Sequence, residues 1–213
     1  MPAPSNRPRA TRMPRDARRA QVLEVAQELF AREGFHHVSM DDIADRAAVS
    51  KPVLYRHFPS KLDLYLEVVD HRGVGLVTAI EDALTTVRAG APPDGRSVVR
   101  AIVRAIVEFV EDAGESFSLL FESDVTRDAD VRRRVEQASQ DAARAIRRGL
   151  EGLAGLPAAH AELLSAALVG MTRVAATSRY RSGDVPVEDA VELVTSLAWR
   201  GVAGLVRERP DTT

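Results

Sequence analysis

The chain has five histidines and no cysteine, and this limits the chemistry open to it. His36 and His37 are adjacent and cannot share a helix face, so they read as loop residues rather than metal ligands. His57, His71 and His160 are far apart in sequence. There is no HExxH, no phosphate-binding loop and no carboxylate cluster with metal spacing. No serine stands in a nucleophile elbow. Without cysteine there is no disulfide framework, thiolate zinc site or thiol nucleophile. The pair Gly73 and Gly75 lacks the preceding strand and third glycine of a nucleotide loop. No catalytic residue, metal or cofactor is therefore expected. One group of residues does converge. Lys51, Val53, Tyr55, Arg56 and His57 all face outward from a helical segment of about two turns, while Leu54 and Phe58 point the other way. A helix that short, exposing lysine, tyrosine, arginine and histidine, is too small to be a core element. It suits the major groove of DNA.

The elements around it support this. The stretch Ser39 to Lys61 reads SMDDIADRAAVSKPVLYRHFPSK. Ser39 is a good N-cap, and Asp42, three residues on, makes a weak form of the capping box. Asp41 and Asp42 suit the positive end of the helix dipole. Met40, Ile43, Ala44 and Ala47 share one face, and the helix stops near Ala48. Ser50 opens the next helix, with Pro52 in its first turn, where the missing N–H costs little. Pro59 ends it, and Ser60 with Asp63 begins another. Two short helices joined by a tight turn form a helix-turn-helix.

The segment AxxAxVSKPVLYRHFPSKLDLY, Ala44 to Tyr65, resembles the DNA-binding domain of TetR-family transcriptional regulators. The resemblance covers about the first 65 residues; beyond them only the helical layout is similar. It implies an all-α protein of about nine helices: an N-terminal three-helix DNA-binding domain over 15–61, then a ligand-binding and dimerisation domain over 62–213. By the same resemblance Ser39 matches a phosphate-contacting position. Ser50, Lys51, Pro52 and Val53 match the head of the recognition helix, nearest the bases. Tyr55, His57 and Lys61 match phosphate contacts, while Arg56 either packs or reaches a phosphate. Lys51 is the long cation at the head of that helix, and guanine O6/N7 is its natural target.

Composition agrees with these expectations. Residues 1–61 hold 11 Lys/Arg against 7 Asp/Glu, and the rest of the chain 18 against 24, so the basic part is N-terminal. Residues 1–14, with four prolines and Arg7, Arg9 and Arg12, read as a disordered arm, either a solubilising tail or a DNA contact. No apolar run approaches the roughly 18–20 residues of a membrane span, and the basic N-terminus has no apolar signal core. A cytoplasmic protein with no membrane partner is expected.

Helix 1 is expected over about Arg15–Glu33, with Val22, Val25, Ala26, Leu29 and Phe30 inward. Gly34 is placed to cap its end, and Phe35 to fold back. Helix 4 runs from Lys61 to about Arg88, its stripe Leu62, Leu66, Val69, Leu76, Val77, Ile80 and Leu84 interrupted by Gly73 and Gly75. These glycines are either a close approach to another helix or a soft point in it. After a loop over 90–95, helix 5 begins near Arg96, and a short apolar segment follows at Phe117–Phe121. Helix 7 spans about Val131–Leu153. Its arginines Arg132, Arg133, Arg134, Arg144, Arg147 and Arg148 alternate with acids and read as a solvated face. Helix 8 (157–181) is expected to turn Leu164, Ala167, Leu168, Met171, Val174 and Ala175 to one side. Helix 9 (187–207) does the same with Val191, Val194, Leu197, Ala198, Gly201, Val202 and Leu205. Their small apolar residues allow close helix approach, so a homodimer through these two helices is expected, reading a palindromic operator on double-stranded DNA.

The resemblance implies a repressor released by a small apolar or amphipathic effector bound among helices 4–8, with Phe109, Phe117, Leu120, Phe121, Met171 and Val174 as lining candidates that are equally plain core. Two alternatives stand beside it: a dimeric DNA-binding regulator without an effector, and a small-molecule carrier. Intact Lys51, Tyr55, His57 and Lys61 weigh against the carrier.

Overall fold

The computed structural model describes residues 14–89, 94–121, 128–150 and 157–207, with 202–207 as backbone only. Among the described residues every regular element is helical: α1 Arg15–Glu33, α2 Met40–Arg46, α3 Lys51–His57, α4 Lys61–Arg88, α5 Gly95–Ala113, a 3-10 turn Gly114–Phe117, α6 Ser118–Phe121, α7 Ala129–Leu150, α8 Ala158–Ser182 and α9 Val187–Arg207. The arm proposed for 1–14 lies outside them except for Pro14, as do most of the 90–95 loop, residues 124–127, Leu153, and the side chains of Val202 and Leu205.

The N-terminal helices close on an aromatic knot. Gly34 takes φ 79° and its N–H bonds Phe30 O, so the chain reverses there. Phe35 then folds back against Phe30, ring centroids 5.9 Å apart, and both meet Tyr65 of α4 at 5.0–5.1 Å, edge to face. Tyr65 is fully buried, with Leu64 and Val68 beside it. At the start of α4 the buried face is rotated from the expected stripe, so Leu62 and Leu66 are only half-buried, while Val69, Leu76, Ile80 and Leu84 are buried as expected.

Among the described residues, side-chain caps open α2, α4, α5 and α7. Ser39 and Asp42 form a complete capping box, with Asp42 N–H bonding Ser39 Oγ and Ser39 N–H bonding Asp42 Oδ2 at 2.8 Å. Asp94 accepts from Ser97 N–H, which starts α5 one residue before the expected Arg96. Asp128 accepts from the N–H groups of Asp130 and Val131, so α7 begins at Ala129 rather than Val131.

Helix α4 continues without a break from the aromatic knot into the C-terminal body. There it packs on α7 and α5. At Gly73 an added Cβ would stand 2.9 Å from Ala138 Cβ, and at Gly149 one would stand 2.9 Å from Leu84 Cδ1, so these two glycines bring α4 and α7 together. At Gly75 the nearest atom is Phe109 Cε2, at an ordinary 3.5 Å. Ion pairs Asp70–Arg134 and Glu81–Arg148 lie along the same seam. Arg133 and Arg144 pair with Asp130 and Asp141, so Arg133, Arg134, Arg144 and Arg148 on the solvated face of α7 all hold ion pairs at its surface.

Helix α5 is wrapped by α4, α7, α8 and α9 and buries residues on nearly every side, from Val98 to Val110. At its start Gly95 leaves room for Trp199 of α9; a Cβ there would lie 2.7 Å from the indole ring.

Helix α8 departs from the expected pattern. Its buried side is Ala161, Ser165, Leu168, Val169, Thr172, Ala176 and Thr177. Of the expected side only Leu168 is buried. Leu164, Met171 and Ala175 are half-buried, and Ala167 and Val174 are exposed. In α9, Leu197 is likewise exposed, whereas Val191, Val194 and Ala198 are buried. The polar Ser165, Thr172 and Thr195 are buried; Ser165 donates to the Ala161 carbonyl at 2.7 Å, while the Thr172 and Thr195 hydroxyls have no partner among the described residues.

Candidate nucleic-acid interface

The turn between α2 and α3 sets the site's geometry. Val49 N–H bonds Ala44 O and Ala48 N–H bonds Asp45 O, the hydrogen-bond pattern of a Schellman motif. The left-handed residue is Ala48 at φ 51°, where glycine is usual. The turn throws α3 off α2, and Leu54 and Phe58 anchor α3 from below, both fully buried.

Above those anchors Ser50, Lys51, Pro52, Tyr55 and Arg56 are exposed and Val53 and His57 half-buried. The expected outward face is therefore the outward face. Lys51 Nζ is 2.6 Å from Asp41 Oδ2, and that hydrogen bond raises the lysine's pKa, keeping it a cation. The His57 imidazole is held below its ordinary range, first by partial burial and then by Arg15, Arg56 and Arg19.

Two of the residues matched to phosphate contacts already have partners. Ser39 Oγ lies 2.6 Å from Asp42 Oδ2 and donates its proton there, and this bonding lowers the Asp42 pKa. Lys61 Nζ donates to Phe35 O and Val38 O at 2.8 and 2.9 Å and sits 4.3 Å from the Phe35 centroid. Lys61 thus holds the 35–38 loop, and it retains one N–H for an anion.

Asp41 and Arg15 belong to this surface and were missed from the sequence. In the sequence Asp41 suits only the helix dipole, but its place in the first turn of α2 also puts it beside the head of α3. Arg15 starts α1 and comes close enough to His57 to influence it.

The lining candidates do not come together. Phe109 borders a cleft of about 700 Å³ between α4 and α5, with Arg72, Gly75, Ala79 and Arg104. Phe121 and Val174 border a separate hollow of about 580 Å³ on α8, with Arg173 and Arg181. Phe117 and Leu120 are buried core, and Met171 packs half-buried against it. Arg72 was the missed signal. It falls between Val69 and Leu76 on the apolar stripe of α4, an unusual place for a long cation.

Comparison with known proteins agrees with this geometry. The family model for bacterial regulatory proteins of the tetR family matches residues 22–68. Over 204 residues the chain is 38% identical to the HTH-type transcriptional activator FasR of Mycolicibacterium smegmatis, covering 95% of this chain and 90% of that protein. It is 32% identical to the HTH-type transcriptional regulator EthR of the same species over 50% of this chain and 46% of that one. The crystal structure of a TetR-like transcriptional regulator from Rhodococcus sp. RHA1 matches with a TM-score of 0.70 at 31% identity, over 91% of this chain and all of that one. No described helix is long and apolar enough to cross a membrane. The match of motif, fold and near full-length sequence places the chain in the TetR family of DNA-binding transcriptional regulators, which are not enzymes.

Proposed function

We propose that the protein is a homodimeric, effector-responsive regulator, acting in the cytoplasm on a palindromic operator. Residues 15–61 form its DNA-binding domain and 62–213 its effector and dimerisation domain. In this reading the head of α3, Ser50 to Val53, faces base edges, with Lys51 toward guanine. Ser39, Tyr55, Arg56, His57 and Lys61 lie along the phosphates. The dimer forms through the exposed faces of α8 and α9. Leu163, Val174, Leu193 and Leu197 are 70%, 61%, 65% and 64% exposed in the single chain, apolar surface that such an interface would cover.

The observation that carries the reading is α4. One unbroken helix holds Lys61 among the loop carbonyls at the DNA end and borders the α4–α5 cleft further along. A ligand that favours one position of α4 shifts the recognition helices with it. Repression, relieved by such a ligand, is the expected sense. Activation is the second reading, favoured by the name of the 38% identical relative. The test is selection of bound duplexes from a random pool, followed by a reporter carrying the selected site. Palindromic half-sites about 34–36 Å apart are expected. Enrichment of no sequence overturns the operator reading, and the direction of the reporter response decides between repression and activation.

A further inference from the structure

Helices α4 and α5 run antiparallel, so Arg72 and Gly75 near the middle of α4 face Phe109 near the end of α5. The cleft between them encloses about 700 Å³, within the range of small-molecule sites, about 300–1,000 Å³. Its middle is lined by the methyl groups of Ala79, Ala83, Ala101 and Ala105. The arginines that border it differ. Arg104 is bonded to Glu188 at 2.5–2.7 Å and to Glu108 at 3.0 Å, and Arg100 pairs with Glu188 and Glu192. Arg72 has no carboxylate partner among the described residues. Its guanidinium carbon lies 4.6 Å from the Phe109 centroid, and its Nε is fully covered with no hydrogen bond. Burial lowers the Arg72 pKa. A cation so placed carries a desolvation cost that an anion in the cleft removes.

We propose that this cleft is the effector site and that it takes a monocarboxylate with an apolar body, the carboxylate on Arg72 and the body along the four alanines. The proposal rests on the effector-responsive reading above. A planar guanidinium and a carboxylate match in a two-pronged hydrogen bond. A second negative charge on the ligand is disfavoured, because Asp112 also lines the cleft beside Phe109, with the already paired Glu108 next to it. This selects a carboxylate over a phosphate dianion.

The test uses the full-length protein with decanoate, decanol and decyl phosphate, followed by titration calorimetry. Decanoate is expected to bind the parent at least about tenfold more tightly than either analogue, the scale of a hydrogen bond to a charged group. Arg72→Gln removes that preference and leaves decanol binding unchanged. Ala101→Leu, which keeps the arginine and fills the cleft, weakens decanoate and decanol alike. Failure of decanoate to bind, binding that neither variant changes, or equal binding of decanol overturns the proposal. Release of operator DNA from the parent is screened separately with a broad compound library. A releasing compound indifferent to both variants overturns this site while the effector-responsive reading stands. No releasing compound at all overturns both.

Discussion

Lys51 is paired with Asp41 in the free chain, so in the proposed reading its contact with a guanine begins by separating an exposed ion pair. Lys51→Ala is expected to weaken the selected operator by at least about tenfold and to relax preference at one base pair. Asp41→Asn frees the lysine and removes a negative charge facing phosphates, so it should tighten binding to all sequences. Anisotropy with operator and scrambled duplexes measures both effects. His57 adds a pH dependence. Its native pKa lies below the ordinary 6.5, so the unfolded chain holds more protons near and just below that value. Stability contributed at His57 is therefore complete above about pH 6.5 and falls as pH drops toward the native pKa. Bound phosphate acts in the opposite direction and raises the histidine pKa, so operator affinity rises as pH falls through the same window. His57→Gln should flatten both slopes, in denaturation and in anisotropy measured across pH.

The helix-turn-helix was legible because its signals are local: a serine cap, a proline in a first turn, and anchors four residues apart at Leu54 and Phe58. The turn's own device was not. An alanine at 48 carries no mark of left-handed backbone. Ala48→Gly removes roughly 1–2 kcal/mol of that strain and costs about 0.5–1 kcal/mol in chain entropy. A net gain of about 0.5–1 kcal/mol in urea denaturation is expected, with operator affinity kept. The glycines of α4 were legible only as alternatives, because packing partners distant in sequence decide between them. Gly73 serves the approach of α7, so Gly73→Ala should destabilise by about 1–3 kcal/mol through overpacking. Gly75 faces an ordinary contact, and Gly75→Ala should stabilise by up to about 1 kcal/mol. Urea midpoints at equal m-values check both. Two glycines that both soften the helix would instead shift the midpoint in the same direction. The buried side of α8 was not legible either. That helix carries apolar residues nearly all round, so periodicity cannot say which apolar face meets the chain's own core, whereas in α9 Val191, Val194 and Ala198 are buried as expected.

At the scale of the whole molecule, the proposed dimer uses the apolar face left uncovered on α8 and α9. Leu193→Lys together with Leu197→Lys places like charges across a twofold interface. It should give a monomer by light scattering at micromolar concentration and lose most operator affinity, since each half-site is then bound alone. An unchanged dimer would move the interface to other helices. The notch at Gly95 has a consequence of another kind. Trp199, the chain's one tryptophan, rests there, at the junction of α5 with α9 and away from the recognition helix. Excitation near the red edge of indole absorption therefore reports from a single place. Its emission is a built-in optical probe of whether the two helices separate, readable without a label in the free protein, with ligand, or on DNA.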